Sequence, residues 1–235
     1  MITFPNAKIN LGLHVLGKRK DGFHDIETVL YPVFLHDSLE ILPSSKTALY
    51  QYGHPLPGDD NLCLKAFHLL RSRYDIPAVE IHLLKHIPAG AGLGGGSSDA
   101  AQTLRMLSDI FKLHLKVEEL ESLAAMLGSD CPFFIQNKTV MASGRGEVLR
   151  SIDINLGGLY IVIVKPEINI STAEAYAKIT PLPGRSSLQD HILKPVSDWK
   201  DCLANDFEVA VFRDYPLLRD IKENLYRDGA IYASM

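Results

Sequence analysis

The chain has 235 residues, 46% hydrophobic and 22% charged, with a net charge of −4. That size gives one large domain or two small ones, and the negative charge argues against a nucleic-acid backbone or an anionic membrane as the main partner. Cys63, Cys131 and Cys202 are widely spaced and form no CxxC pair, so neither a disulfide framework nor a zinc site is expected, and a reducing cytoplasm is the simplest setting.

The opening Met1-Ile2-Thr3-Phe4-Pro5-Asn6 has no basic stretch followed by a long apolar one, so no signal peptide is expected. Over residues 7–15, Ile9, Leu11, Leu13 and Val15 alternate with Lys8, Asn10, Gly12 and His14, the period of a half-buried strand. The polar side either faces solvent or, in a curved sheet, lets Lys8 and Asn10 line a pocket. Residues 17–24 combine basic side chains with Asp21-Gly22 and predict a solvated turn, in which His24 reads as an incidental loop histidine. Residues 26–31, 38–42 and 47–52 read as strands. Leu62, Ala66, Leu69 and Leu70 mark one face of a helix over residues 61–75, with Asn61 or Asp60 as its cap.

A strand over residues 78–84 leads into Pro88-Ala89-Gly90-Ala91-Gly92-Leu93-Gly94-Gly95-Gly96-Ser97-Ser98-Asp99. Ordering so many glycines costs backbone entropy and buries little apolar area, so the stretch is either a linker or a loop that must approach a ligand closely. A polar linker does not fit, because Ala100, Leu104, Leu107, Ile110 and Phe111 follow at helical spacing. Ser97, Ser98 and Asp99 are N-cap types at the predicted helix start. Strand, glycine loop and helix N-terminus together present free N–H groups to an anion, which points to phosphate.

Val117, Leu120, Ala124 and Leu127 outline a further helix with Gly128 as its C-cap. Asp130, just ahead of Cys131-Pro132, reads as the cap of a short turn. Strands are predicted over 139–142, 146–152, 158–165 and 229–235, and helices over 172–177, 205–213 and 216–227. The apolar run at 156–164 is too short to span a bilayer, and a domain boundary is expected near 153–157. Strands alternating with helices give an α/β or α+β protein.

Three phosphate-loop chemistries compete. A Walker A loop needs Lys-Ser or Lys-Thr directly after its glycines, and none stands near Gly96. Gly90, Gly92 and Gly95 match G-x-G-x-x-G, but a second helix follows where the dinucleotide fold needs a strand ending in an acidic residue. The His-Arg-Asp and Asp-Phe-Gly motifs of protein kinases are absent. The remaining form, Pro-x-x-x-Gly-Leu-Gly-x-x-Ser-Ser opening a helix, resembles the second motif of the GHMP kinases (galacto-, homoserine, mevalonate and phosphomevalonate kinases).

The resemblance extends through Pro5-Asn6-Ala7-Lys8-Ile9-Asn10-Leu11, Arg19-Lys20-Asp21-Gly22-Phe23-His24, Leu127-Gly128-Ser129-Asp130-Cys131-Pro132-Phe133-Phe134, Lys165-Pro166, Ile170-Ser171-Thr172-Ala173-Glu174-Ala175-Tyr176, Asn205-Asp206-Phe207-Glu208 and Gly229-Ala230-Ile231-Tyr232-Ala233-Ser234-Met235. These segments are most similar to members of the family that phosphorylate a cytidine diphosphate-linked methylerythritol. The family pattern continues past Tyr-Ala-Ser-Met with a Ser-Gly-Ser-Gly motif, a strand and a helix, which this sequence does not contain.

The resemblance implies an α+β, two-domain GHMP-kinase fold. Residues 1–154 would form a curved-sheet and helix domain with the ATP phosphate loop, and residues 155–235 a ferredoxin-like C-terminal domain, incomplete here, with both substrates in the cleft. It implies ATP and Mg²⁺ as cofactors, with no metal ligand assigned. Asp130 would be the general base for a tertiary 2-hydroxyl, and Lys8 beside it would polarise that hydroxyl. Pro88, Ala89, Gly90, Ala91, Gly92, Leu93, Gly94, Gly95, Gly96, Ser97 and Ser98 would wrap the triphosphate, while Asn61, Leu62 and Lys85 would border the adenine. Phe23 and Tyr176 would sandwich the cytosine, His24 would read its edge, and Asn10 and Thr172 would bond the substrate. Its partners would be these small molecules and neither nucleic acid nor membrane. The alternatives are another GHMP small-molecule kinase, or a module that binds nucleotide without turnover.

Overall fold

The computed structural model of the chain describes residues 1–54, 61–182 and 184–235. In chain order come β1 (Ile2–Thr3), β2 (Asn6–Lys18), β3 (His24–His36), β4 (Ser38–Pro43), β5 (Ala48–Gly53), α1 (Leu62–Arg71), β6 (Val79–Lys85) and α2 (Gly95–Ile110). Then follow α3 (Val117–Ala125), α4 (Cys131–Gln136), β7 (Val140–Gly144), β8 (Val148–Ser151), α5 (Thr172–Ala177), α6 (Leu188–Ile192), α7 (Trp199–Cys202), α8 (Phe207–Asp214) and α9 (Pro216–Arg227). The protein is α+β. Among the described residues, no helix is long and apolar enough to cross a membrane.

The chain divides into two compact units, Met1–Ile9 with Pro32–Lys138 and Asn10–Tyr31 with Thr139–Met235. Residue 154, the expected boundary, lies inside the last of these segments. In the first unit the sheet order is β1-β4-β6-β5, with β4 antiparallel to β6 and β5 parallel to it. The parallel pair is possible because α1 supplies the crossover between β5 and β6. Leu39, Ile41, Ile81 and Leu83 are fully buried, and α1 packs against α2. The buried face of α1 is Cys63, Ala66, Phe67 and Leu70, one step round from the predicted face. Asn61 caps α1 by accepting the Cys63 N–H at 2.8 Å, whereas Asp60 lies outside the described residues.

In the second unit the sheet order is β2-β3-β7-β8, and β2 and β3 begin or end in the first. Leu13, Val15 and Ile26 form a core against which Tyr176, Ile179 and Phe207 pack. Asp206 accepts the Val15 N–H at 2.7 Å, and Arg185 Nη1 donates to both its oxygens at 2.7 and 3.0 Å. This half-buried pair fastens the start of α8 to β2.

Four local expectations fail, each for a physical reason. Residues 158–165 form no strand: no neighbouring strand takes their N–H groups among the described residues, and Tyr160 and Val162 are 97% and 71% exposed. Residues 229–235 form none either, because their backbone groups are already engaged. Ala233 bonds the Tyr226 hydroxyl, and Met235 bonds Glu208 and Asn205. Gly128 does not cap α3, which ends at Met126 in a right-handed conformation. Ser97, Ser98 and Asp99 do not cap α2. The helix starts earlier, with Gly94 at its N-cap in the left-handed region and no side-chain cap.

Candidate active site

The glycine loop joins β6 to α2. Gly90, Gly92 and Gly94 adopt φ of 67°, 72° and 70°, with Ala91 and Leu93 between them. Alternation of left-handed with ordinary residues curls a backbone so that successive N–H groups converge, an anion-binding nest. A Cβ on Gly94 would lie 2.8 Å from Phe134 Cζ and 3.1 Å from Lys8 Cγ, whereas one on Gly90 would meet nothing within 4 Å. Gly94 is therefore required by its conformation and its neighbours, Gly90 by conformation and by room for a ligand. Because no side chain caps α2, its first-turn N–H groups and positive dipole end remain for an anion. Pro88, Ala89, Ala91 and Gly96 are partly exposed, and Leu93 is buried.

The loop is tied to β2 at Lys8, whose N–H donates to Leu93 O at 2.9 Å. Lys8 is 6% exposed, so the polar side of β2 does not face solvent there. Its Nζ lies 3.4 Å from Asp130 Oδ2. Asp130 stands at the N-cap position of α4 but makes no capping bond, and its side chain is 40% exposed. The carboxylate is thus aimed at Lys8 instead of at the helix it precedes. Asn6 and Asn137 bond each other reciprocally, at 3.2 and 2.6 Å, between the start of β2 and the end of α4. They fix the two elements that carry Lys8 and Asp130. Sequence reading missed this pair, although Asn137 at φ 54° is the left-handed C-cap that asparagine tolerates.

Three residues assigned to the adenine side are placed as follows. Asn61 Oδ1 is engaged by the α1 cap, and Leu62 Cδ1 lies 3.6 Å from where a Cβ on Gly96 would stand. Lys85 is 2% exposed and paired with two carboxylates, Asp37 and Asp99. Burial opposes its charge, yet the two carboxylates outweigh that and raise its pKa. Burial pushes the Asp99 carboxyl up to about 7 against the pull of Lys85. Asp37 was not singled out in the sequence: it lies between two strands and meets its partners across nearly fifty residues, with no local signal. The Ser98 hydroxyl is buried with no hydrogen-bond partner among the described residues. Burial pushes the pKa of the Cys131 thiol up to about 11, against a smaller opposing pull from Ser97.

The remaining assigned residues lie in the second unit. His24 stacks on Tyr176 with ring centroids 4.9 Å apart and planes at 14°, and Phe207 meets the Tyr176 ring edge-on. Phe23 is 55% exposed and carries the Arg145 guanidinium 4.9 Å above its ring. The turn that presents it is built by local bonds: Arg19 N–H donates to Phe23 O, Phe23 N–H to Asp21, and Arg19 pairs with Asp25. Asn10 Nδ2 donates to Thr28 Oγ1 at 2.9 Å. Thr172 opens α5, and its side chain lies outside the described residues. The structure therefore brings His24 to Tyr176 and Arg145 to Phe23.

A family model described as the GHMP kinases N terminal domain matches residues 61–138. The chain is 49% identical over 237 residues to 4-diphosphocytidyl-2-C-methyl-D-erythritol kinase of Parabacteroides distasonis, covering 100% of this chain and 88% of that one. It is 50% identical over 241 residues to the protein of the same name in Bacteroides fragilis, with the same coverage. A crystal structure of 4-(cytidine 5'-diphospho)-2C-methyl-D-erythritol kinase superposes with a TM-score of 0.82 at 30% identity, covering 100% of this chain and 86% of that one.

Proposed function

The chain belongs to the GHMP kinase family, and from that premise we propose that it transfers the γ-phosphoryl group of ATP to the 2-hydroxyl of 4-diphosphocytidyl-2-C-methyl-D-erythritol, a step of non-mevalonate isoprenoid synthesis. One observation carries the reading: Lys8 touches both halves of the chemistry. Its backbone bonds the phosphate loop at Leu93, and its ammonium faces Asp130.

Asp130 Oδ2 takes the hydroxyl proton as the oxygen attacks. Lys8 Nζ polarises that oxygen and offsets the charge that develops on the moving phosphoryl group. Phosphoryl transfer requires mainly alignment and charge neutralisation, so a rigid nest of N–H groups over residues 90–98 does much of the work. Mg²⁺ would neutralise phosphate charge. It is commonly held by substrate phosphates with few protein ligands, and the orphaned Ser98 hydroxyl, with Ser97 beside it, offers oxygen to it. Phe23 and Tyr176 supply aromatic faces for cytosine, where stacking contributes about 1–3 kcal/mol per base. His24 supplies a hydrogen-bonding ring, Asn10 bonds the substrate near the reacting hydroxyl, and Thr172 bonds a polar group of the substrate. Three free cysteines, two of them buried, suit a cytoplasmic setting.

The test is a transfer assay with ATP and three acceptors in parallel: the cytidylyl substrate, mevalonate and homoserine. Phosphorylation of the cytidylyl substrate alone, at its 2-hydroxyl, is expected. Turnover of mevalonate or homoserine in its place contradicts the assignment.

A further inference from the structure

Asp37 follows β3, and its two oxygens have separate tasks. Oδ1 accepts the His86 and Ile87 N–H groups at 2.6 and 2.9 Å, where the chain leaves β6 for the glycine loop. Oδ2 accepts from Lys85 Nζ. The same ammonium donates to Asp99 Oδ2 at 2.7 Å, in the first turns of α2, where the loop ends. Asp99 Oδ1 has no hydrogen-bond partner among the described residues, so Lys85 is what holds this carboxylate. All three side chains are 2% exposed or less. Entrance and exit of the loop are thus joined through one buried ammonium.

A buried ion triad is a poor way to gain stability, since desolvation offsets most of the attraction and apolar side chains of like volume often serve as well. What it does supply is a fixed distance. Gly95 follows from the same geometry: a Cβ there would stand 3.2 Å from Lys85 Nζ and 2.9 Å from Ile87 Cγ2. Any side chain at that position would push the helix start away from the ammonium. The Lys85 ammonium is already engaged by these two carboxylates.

We infer that Asp37, Lys85 and Asp99 form a clamp that fixes the two ends of the glycine loop against each other and thereby sets where the phosphates sit. Lys85 is a positioning residue in this scheme, with Asp37 as its anchor. The inference rests on the reading that the loop holds the phosphates of ATP.

The experiment compares wild type, Lys85→Met, Asp37→Asn and the double variant in the full chain, measuring kcat and the KM of each substrate. Lys85→Met is expected to raise the KM for ATP at least tenfold and leave that of the cytidylyl acceptor within twofold. Asp37→Asn keeps the carbonyl that receives His86 and Ile87 but turns an amide N–H toward Lys85, so it shifts the same constant. The double variant is expected to be no worse than Lys85→Met, because one device is removed twice. A lower melting temperature with an unchanged KM for ATP in both single variants overturns the clamp, as does full additivity. If Lys85→Met does not fold, Asp37→Asn is read alone against the same criterion. Absence of turnover in wild type refutes the assigned reaction and not the clamp. Amide hydrogen exchange then decides it: faster exchange over residues 90–98 in Asp37→Asn, with α1 unchanged, supports the clamp, and equal exchange overturns it.

Discussion

Lys8 Nζ lies 3.4 Å from Asp130 Oδ2, while the N–H of Lys8 bonds Leu93 O within the glycine loop. A single residue of β2 therefore contacts both the carboxylate proposed as the base and the loop proposed to hold phosphate. Lys8 Cγ would also stand 3.1 Å from a Cβ on Gly94, so loop and lysine are packed to contact. Displacing either one moves the other.

Gly94→Ala and Gly90→Ala are expected to fail in different ways. Both impose a Cβ on a left-handed residue, at about 1–2 kcal/mol. At Gly94 the new methyl also meets Phe134 Cζ at 2.8 Å, adding an overpacking cost of about 1–3 kcal/mol. At Gly90 it meets nothing within 4 Å, but it would project into the space proposed for phosphate. Denaturant unfolding is expected to show the larger loss at Gly94. The KM for ATP is expected to rise at Gly90 with most of the stability retained. Equal stability losses in the two variants would contradict this placement.

His14 makes the second unit sensitive to acid. It is 1% exposed, and neither ring nitrogen has a hydrogen-bond partner among the described residues. Burial, with Arg185 adding to it, pushes its pKa down to about 4, against the weaker pulls of Asp206 and Glu27. The folded state thus binds a proton less readily than the unfolded one, whose histidine titrates near 6.5. The contribution is complete above pH 6.5 and is lost as pH falls toward 4, by up to about 3 kcal/mol. Melting temperature against pH is expected to drop more steeply across that window in wild type than in His14→Leu. Identical slopes would remove His14 as the cause.

Asp206 is expected to be among the costly single changes in that unit. Its carboxylate is 12% exposed and holds both Arg185 and the Val15 N–H. Asp206→Ala leaves a half-buried cation and a strand N–H without their acceptor, at about 3 kcal/mol. Urea unfolding reads this directly, and a loss under about 1 kcal/mol would mean the pair behaves as a surface salt bridge.

What the sequence made legible was local. Alternation over residues 7–15 predicts β2, and the glycine density with the helical run after it predicts loop and helix, because both signals lie within a dozen neighbouring residues. What stayed hidden depends on distant partners. Whether Lys8 faced water or a pocket could not be read from alternation, since that is decided by what packs on the other side. Asp130 looked like a cap because capping is the local use of an aspartate before Pro132, while its actual neighbour is 122 positions away in the chain. Asp37 gave no signal for the same reason. Residues 158–165 and 229–235 have strand composition, but a strand exists only when another backbone offers its ladder, and neither segment has one among the described residues.

The most direct test of the account is kcat for phosphoryl transfer to the cytidylyl substrate by Asp130→Asn. That variant keeps the size of the side chain and removes its basicity. A loss of about 10²- to 10⁴-fold in kcat is expected, with the KM of each substrate changed no more than threefold and the melting temperature retained. Turnover at the wild-type rate would contradict Asp130 as the base.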